Sequence, residues 1–144
     1  MASCLGKVTP LPLNGKFAMS GKRRILLDTN AVVSLLAGNR DLAEQLDSAK
    51  YVGISVVSYL EFLAFDGLTD NDRACFTEFC GQVEIVPLGH KDLELFDLIL
   101  DLRSRHKLKL PDAIIGATAI FRDALLITND SHFADVRSLA VQGC

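Results

Sequence analysis

No apolar run in this chain approaches the ~20 residues a membrane span needs, so an integral membrane protein is not expected. Met1 to Arg23 lack an apolar run of signal-peptide length and a cleavage-like end, which argues for the cytoplasm. The four cysteines, Cys4, Cys75, Cys80 and Cys144, form no C-x-x-C pair and have no histidine at metal-finger spacing. That excludes a small zinc module, and the thiols are expected to be free, as in a reducing compartment. Histidine is scarce: His90, His106 and His132 are scattered, and only His132 lies near a motif. No internal repeat is visible. Acid is missing from residues 1–27, which carry Lys7, Lys16, Lys22, Arg23 and Arg24, leaving 10 bases against all 18 acids in residues 28–144. So acidic a body argues against broad nucleic-acid binding through basic surface alone. It does not argue against a nuclease whose metal ions supply the positive charge where phosphate sits.

What is present suits one domain with a sizeable core: 144 residues, 49% of them hydrophobic. Residues 1–23, rich in Gly, Pro, Asn, Ser and Lys, read as a flexible basic arm, with Met19 a plausible alternative start. The domain is expected over 24–144. Ile25–Leu27 reads as a buried strand, followed by helices over Thr29–Leu36 and Asp41–Ala49 separated by a Gly38-Asn39 break. A strand over Tyr51–Ser55 leads to a helix around Ser58–Phe65, with Ser58 as its cap, and a further helix spans Asp70–Gly81. A strand at Val83–Val86 precedes an amphipathic helix over His90–Lys107, with Leu93, Phe96, Ile99, Leu100 and Arg103 at helical spacing. Pro111 takes the first turn of a helix reaching Asp123. Leu125–Thr128 is a fourth strand and Ser138–Val141 a fifth. Short, uniformly apolar strands alternating with helices predict an α/β fold of three layers, a parallel sheet of four to five strands with helices on both faces.

Four acids stand where this pattern changes from one element to the next: Asp28, Glu61, Asp112 and Asp130. Each adjoins an apolar run, and a carboxylate desolvated without a partner is costly. In an open parallel sheet, ligands bind beyond the carboxyl ends of the strands, where strand order reverses. Asp28 follows the first strand and Asp130 the fourth, Asp112 opens a helix, and Glu61 is placed in the first turn of the helix after the second strand. All four are thereby directed to one edge of the sheet. Each has a local explanation as well: Asp28 and Asp130 as caps, Asp112 as a first-turn acid favoured by the helix dipole. Four separate caps meeting on one rim are a poorer account than one site that holds a divalent cation through oxygens.

These residues resemble the PIN-domain ribonucleases, and within them the VapC-type toxins of toxin–antitoxin pairs. The resemblance runs from about Arg24 to the end, through Leu26-Leu27-Asp28-Thr29-Asn30, Ile54-Ser55 with Ser58-Tyr59-Leu60-Glu61, Leu110-Pro111-Asp112-Ala113-Ile114, and Leu126-Ile127-Thr128-Asn129-Asp130 before Phe133. It implies a PIN-like fold in which Asp28, Glu61, Asp112 and Asp130 form the catalytic acidic quartet. These would bind one or two Mg2+ or Mn2+ ions, with Asn30 and Thr128 as supporting polar neighbours. It further implies metal-dependent hydrolysis of RNA phosphodiester bonds, with tRNA or ribosomal RNA as substrate, a small VapB-like antitoxin as partner, and a homodimer. Asn129, adjacent to Asp130, competes for the fourth position. The alternative is a PIN-like module without turnover that binds RNA or protein. Arg103, Arg105, Lys107 and Lys109, just before Asp112, read either as favourable charge at a helix end or as a rim that contacts RNA phosphates. On the second reading, neutralising Arg105 and Lys107 weakens RNA binding.

Overall fold

Strand and helix alternate along the chain because short apolar runs are separated by residues that start and stop helices. A computed structural model describes residues 23–144; the expected arm therefore lies outside the described residues, apart from Arg23. The elements are β1 (Arg24–Leu27), α1 (Thr29–Leu36), α2 (Arg40–Asp47), β2 (Tyr51–Ser55), α3 (Val56–Leu63), α4 (Asp70–Cys80), β3 (Glu84–Val86), α5 (Leu93–His106), α6 (Leu110–Phe121), β4 (Leu125–Ile127) and β5 (Val141–Gln142). The five strands form one sheet in the order β3-β2-β1-β4-β5, and every pairing is parallel. The expected α/β three-layer architecture is what is found. Among the described residues no helix is long and apolar enough to cross a membrane.

Alternation along β1 divides the core in two. Ile25 and Leu27 face a cluster with Val32 and Leu35 of α1, Leu46 of α2, Phe62 of α3 and Phe76 of α4. Leu26 faces the other way, onto Leu95, Ile99 and Leu102 of α5 and Ala113 and Ala117 of α6. On the first side Phe62 and Phe76 stack with ring centroids 4.0 Å apart. The chain builds β1, β2 and β3 outward in one direction, then crosses back over the sheet to place β4 on the far side of β1. Leu27 is thus flanked by Ile54 and Ile127, and the reversal of strand order falls between the carboxyl ends of β1 and β4.

Several local expectations need correcting. α3 starts earlier than expected, capped by Ser55, whose hydroxyl accepts from the Val57 N–H. Ser58 is therefore interior to the helix, and Glu61 stands in its second turn rather than its first. The apolar stripe of α5 is Leu95, Ile99 and Leu102, whereas Leu93 and Leu100 are 65% and 60% exposed. β5 forms at Val141–Gln142, where Thr128 N–H reaches the Gln142 carbonyl. Cys80 and Cys144 are free thiols as expected, but Cys75 is disulfide-bonded.

Candidate active site

Asp28 is the last residue before α1, where backbone N–H groups lack helical partners. One carboxylate oxygen accepts from the Ala31 N–H at 2.8 Å, and the other accepts from the Thr128 hydroxyl. The Thr128 hydroxyl accepts in turn from the Asp130 N–H at 3.0 Å. This hydroxyl ties the ends of β1 and β4 together. Asp28 is only 5% exposed. Burial pushes its pKa up; the hydrogen bonds from Thr128 and Ala31 oppose this, and the negative charges of Asp130 and Glu61 add to the rise.

Asp112 lies in the first turn of α6, after Pro111. Its pKa is also raised, first by burial and then by Asp130 and Glu61, while His132 and Lys109 pull it down. Asp130 and Glu61 therefore each act on both Asp28 and Asp112. The four carboxylates expected to converge share one electrostatic neighbourhood at the reversal of strand order. Glu61 is exposed on α3, and its carboxylate accepts from the Thr29 hydroxyl at 2.6 Å. Asp130 precedes a one-turn 3-10 helix, Ser131–Phe133. One of its oxygens accepts from the His132 backbone N–H at 2.9 Å and lies 2.7 Å from the His132 Nδ1. Asp112, Asp130 and His132 each offer an atom suited to a metal, all within 4.8 Å of one another.

Asn129 is turned elsewhere: its amide oxygen accepts from the Cys144 N–H at 2.9 Å and its nitrogen donates to the Cys144 carbonyl at 3.3 Å. Asp130, not Asn129, therefore joins the acids. Asn30 is exposed and lines a cavity of about 270 Å³ with Thr29, Val33, Glu61, Phe62 and Phe65. The side chain that holds Glu61 is that of Thr29, next to Asn30. Thr29 and His132 are the two polar neighbours that sequence reasoning missed. The signal for His132 was its place two residues after Asp130; for Thr29 it was the first position of a helix that faces α3.

The basic cluster is divided. Arg105 pairs with Asp101 at 2.6 Å on the exposed side of α5. Arg103 donates to the Leu108 carbonyl at 3.3 Å. Lys107 ends α5 in the left-handed region, with φ of 55°, and Lys109 is near enough to Asp112 to lower its pKa. Arg103, Ser104 and Lys107 line an open cavity of about 520 Å³ with Leu100 and Leu108.

The donor set suits a hard divalent cation, which takes carboxylate oxygens. Among the described residues the lysine and arginine ion pairs are Arg105–Asp101 and Arg122–Glu84, so neither neutralises the acids of the site. The buried Ser58 hydroxyl, one helical turn before Glu61, has no hydrogen-bond partner among the described residues.

The family model for the PIN domain matches residues 25–139. No curated protein sequence matches the chain. Among solved structures, the chain is similar to one in a toxin–antitoxin complex from Klebsiella pneumoniae, with 26% identity, a TM-score of 0.67, and 81% of this chain and 95% of that one covered. It is also similar to a chain of VapBC2 from Rickettsia felis bound to a DNA fragment from their promoter, with 20% identity, a TM-score of 0.63, and 83% and 97% covered. A chain of VapBC-1 from nontypeable Haemophilus influenzae gives 19% identity, a TM-score of 0.63, and 83% and 96% covered.

Proposed function

The chain belongs to the PIN domain family, and from that premise we propose that it is a metal-dependent endoribonuclease acting as the toxin of a toxin–antitoxin pair. One observation carries the reading: carboxylates from four separate stretches act on one another where strand order reverses, and among the described residues no lysine or arginine ion pair neutralises them. Asp28, Glu61, Asp112 and Asp130 are the proposed catalytic residues and would hold Mg2+ or Mn2+, one ion or two. When bound, such an ion supplies positive charge against the scissile phosphate and makes water more acidic. The chain's own groups prepare that site. Thr128 and the Ala31 N–H fix both oxygens of Asp28. Thr29 holds Glu61 over the site, and His132 orients Asp130.

The substrate is RNA, with tRNA or ribosomal RNA the proposed class, and the functional unit is residues 24–144 acting in the cytoplasm. Lys109, beside Asp112, is the basic side chain best placed to meet a phosphate flanking the cut. The inhibitor proposed is a small VapB-like antitoxin. Likeness to a chain in a toxin–antitoxin complex from Klebsiella pneumoniae supports it, and so does chemistry, since a guanidinium pairs well with clustered carboxylates. A homodimer would use the exposed leucines of α3 or α5, Leu60, Leu93 and Leu100. The test is cleavage of structured RNA by the full chain with and without Mg2+, beside Asp28→Asn and Asp112→Asn. Cleavage that requires the ion and drops by at least about 100-fold in both variants is expected, a loss of ~2.7 kcal/mol or more. Metal-independent cleavage, or full activity in both variants, overturns the reading.

A further inference from the structure

We propose that His132 is a nitrogen ligand of the metal centre, and that it biases the site toward Mn2+ over Mg2+. This rests on the metal-dependent reading above and adds a residue that the acidic quartet does not include. Two observations support it. Asp112, Asp130 and His132 offer donor atoms within 4.8 Å of one another, and a side-chain movement of well under 1 Å brings such a set within the roughly 4.2 Å that separates opposite ligands of one octahedral ion at ~2.1 Å bonds. His132 Nδ1 lies 2.7 Å from the Asp130 oxygen, close to the ~3 Å between neighbouring ligands of such an ion.

Local backbone geometry holds the ring there. His132 belongs to the 3-10 turn Ser131–Phe133, and the neighbouring Phe133 is only 1% exposed in the core between α6 and β4. The Asp130 carboxylate also caps the His132 N–H at 2.9 Å. A side chain anchored at this point stays within reach of Asp112 and Asp130 even though its ring is exposed.

The chemical consequence is selectivity. Mg2+ prefers oxygen ligands and gives up water reluctantly, whereas imidazole favours later divalent ions, and affinities at nitrogen-bearing sites rise from Mn2+ onward. A site of carboxylates alone would discriminate little. One with an imidazole beside Asp112 and Asp130 should hold Mn2+ more tightly.

The test measures Mn2+ and Mg2+ binding to the tag-free full chain by calorimetry, together with pulsed electron paramagnetic resonance of the Mn2+-loaded protein. Wild type is expected to show nitrogen modulation on Mn2+. His132→Ala should lose that modulation and weaken Mn2+ binding by about tenfold, within the range for removing a group that supports a metal site, with a smaller loss for Mg2+. If wild type and variant both bind Mn2+ without nitrogen modulation, or lose both ions in equal proportion, His132 is not a ligand and the metal-dependent reading survives. If wild type binds neither ion, or Asp28→Asn and Asp112→Asn bind both normally, the metal-dependent reading falls and the ligand assignment falls with it.

Discussion

Asp28 shows what the candidate site costs the fold. Its carboxylate is buried, and although two hydrogen bonds favour the ion, desolvation outweighs them and its pKa is raised. A carboxyl group with a raised folded-state pKa keeps a proton that the unfolded chain has already released. Stability therefore falls as pH climbs from the ordinary aspartate value of 3.8 through the raised one. With a chelator present, Asp28→Asn should raise the melting temperature at neutral pH, because the amide carries no charge to desolvate. The gain should vanish below pH 3.8, where both chains carry a neutral group. Millimolar Mg2+ should raise the melting temperature of wild type and leave the variant unmoved. Scanning calorimetry at several pH values checks all three outcomes, and a variant less stable than wild type at neutral pH would mean that the lost hydrogen bonds dominate. At this scale the sequence was informative where chemistry and topology coincide: Asp28, Asp112, Asp130 and Thr128 lie at strand or helix ends that hydropathy alone marks. Thr29 and His132 were not legible, because their roles depend on which neighbouring element packs against them.

α5 shows the same limit for a whole element. Its sequence carries leucine or isoleucine at 93, 95, 98, 99, 100 and 102, so apolar residues occur on every side and periodicity does not choose a face. Packing chooses it: Leu26 of β1, Val86 of β3 and the small side chains of α6 admit Leu95, Ile99 and Leu102. Leu93 and Leu100 are left outside, although the sequence pattern includes them. The helix itself was legible because its charges run from acidic to basic with the dipole. The start of α3 was not, because Ser55 and Ser58 are both acceptable caps and only the end of β2 decides between them. Leu102→Ala should cost about 2–5 kcal/mol through the cavity it leaves. Leu100→Ala should change stability by no more than about 0.5 kcal/mol, as surface substitutions do. Urea unfolding of the two variants side by side checks the assignment, and equal losses would place Leu100 in an interface or in the core.

For the molecule as a whole, the difficulty is how an acidic body attracts a polyanion. The described domain is negative, its proposed reaction centre most of all, and favourable contact with RNA must come from bound cations and a few placed bases. The α5–α6 turn supplies those bases beside Asp112, but the four do not contribute equally. Arg105 is already paired with Asp101, so Lys107 and Lys109 are the two we propose as the main phosphate contacts. Lys107 lines the open cavity at the turn, and Lys109 already acts on Asp112. Binding of a single-stranded RNA to the Asp130→Asn chain, followed by fluorescence anisotropy across a salt series, separates the two roles. Each phosphate contact removed from a single strand lowers the slope of log affinity against log salt by about 0.7. Lys107→Ala with Lys109→Ala should therefore flatten the slope by about 1.4 if both touch phosphate, while Arg105→Ala leaves it unchanged. A slope equal to that of the parent in the double variant would reduce the turn's charge to complementing the end of α5. RNA would then be held by the metal-loaded acids alone, and affinity should collapse when the divalent ion is withdrawn.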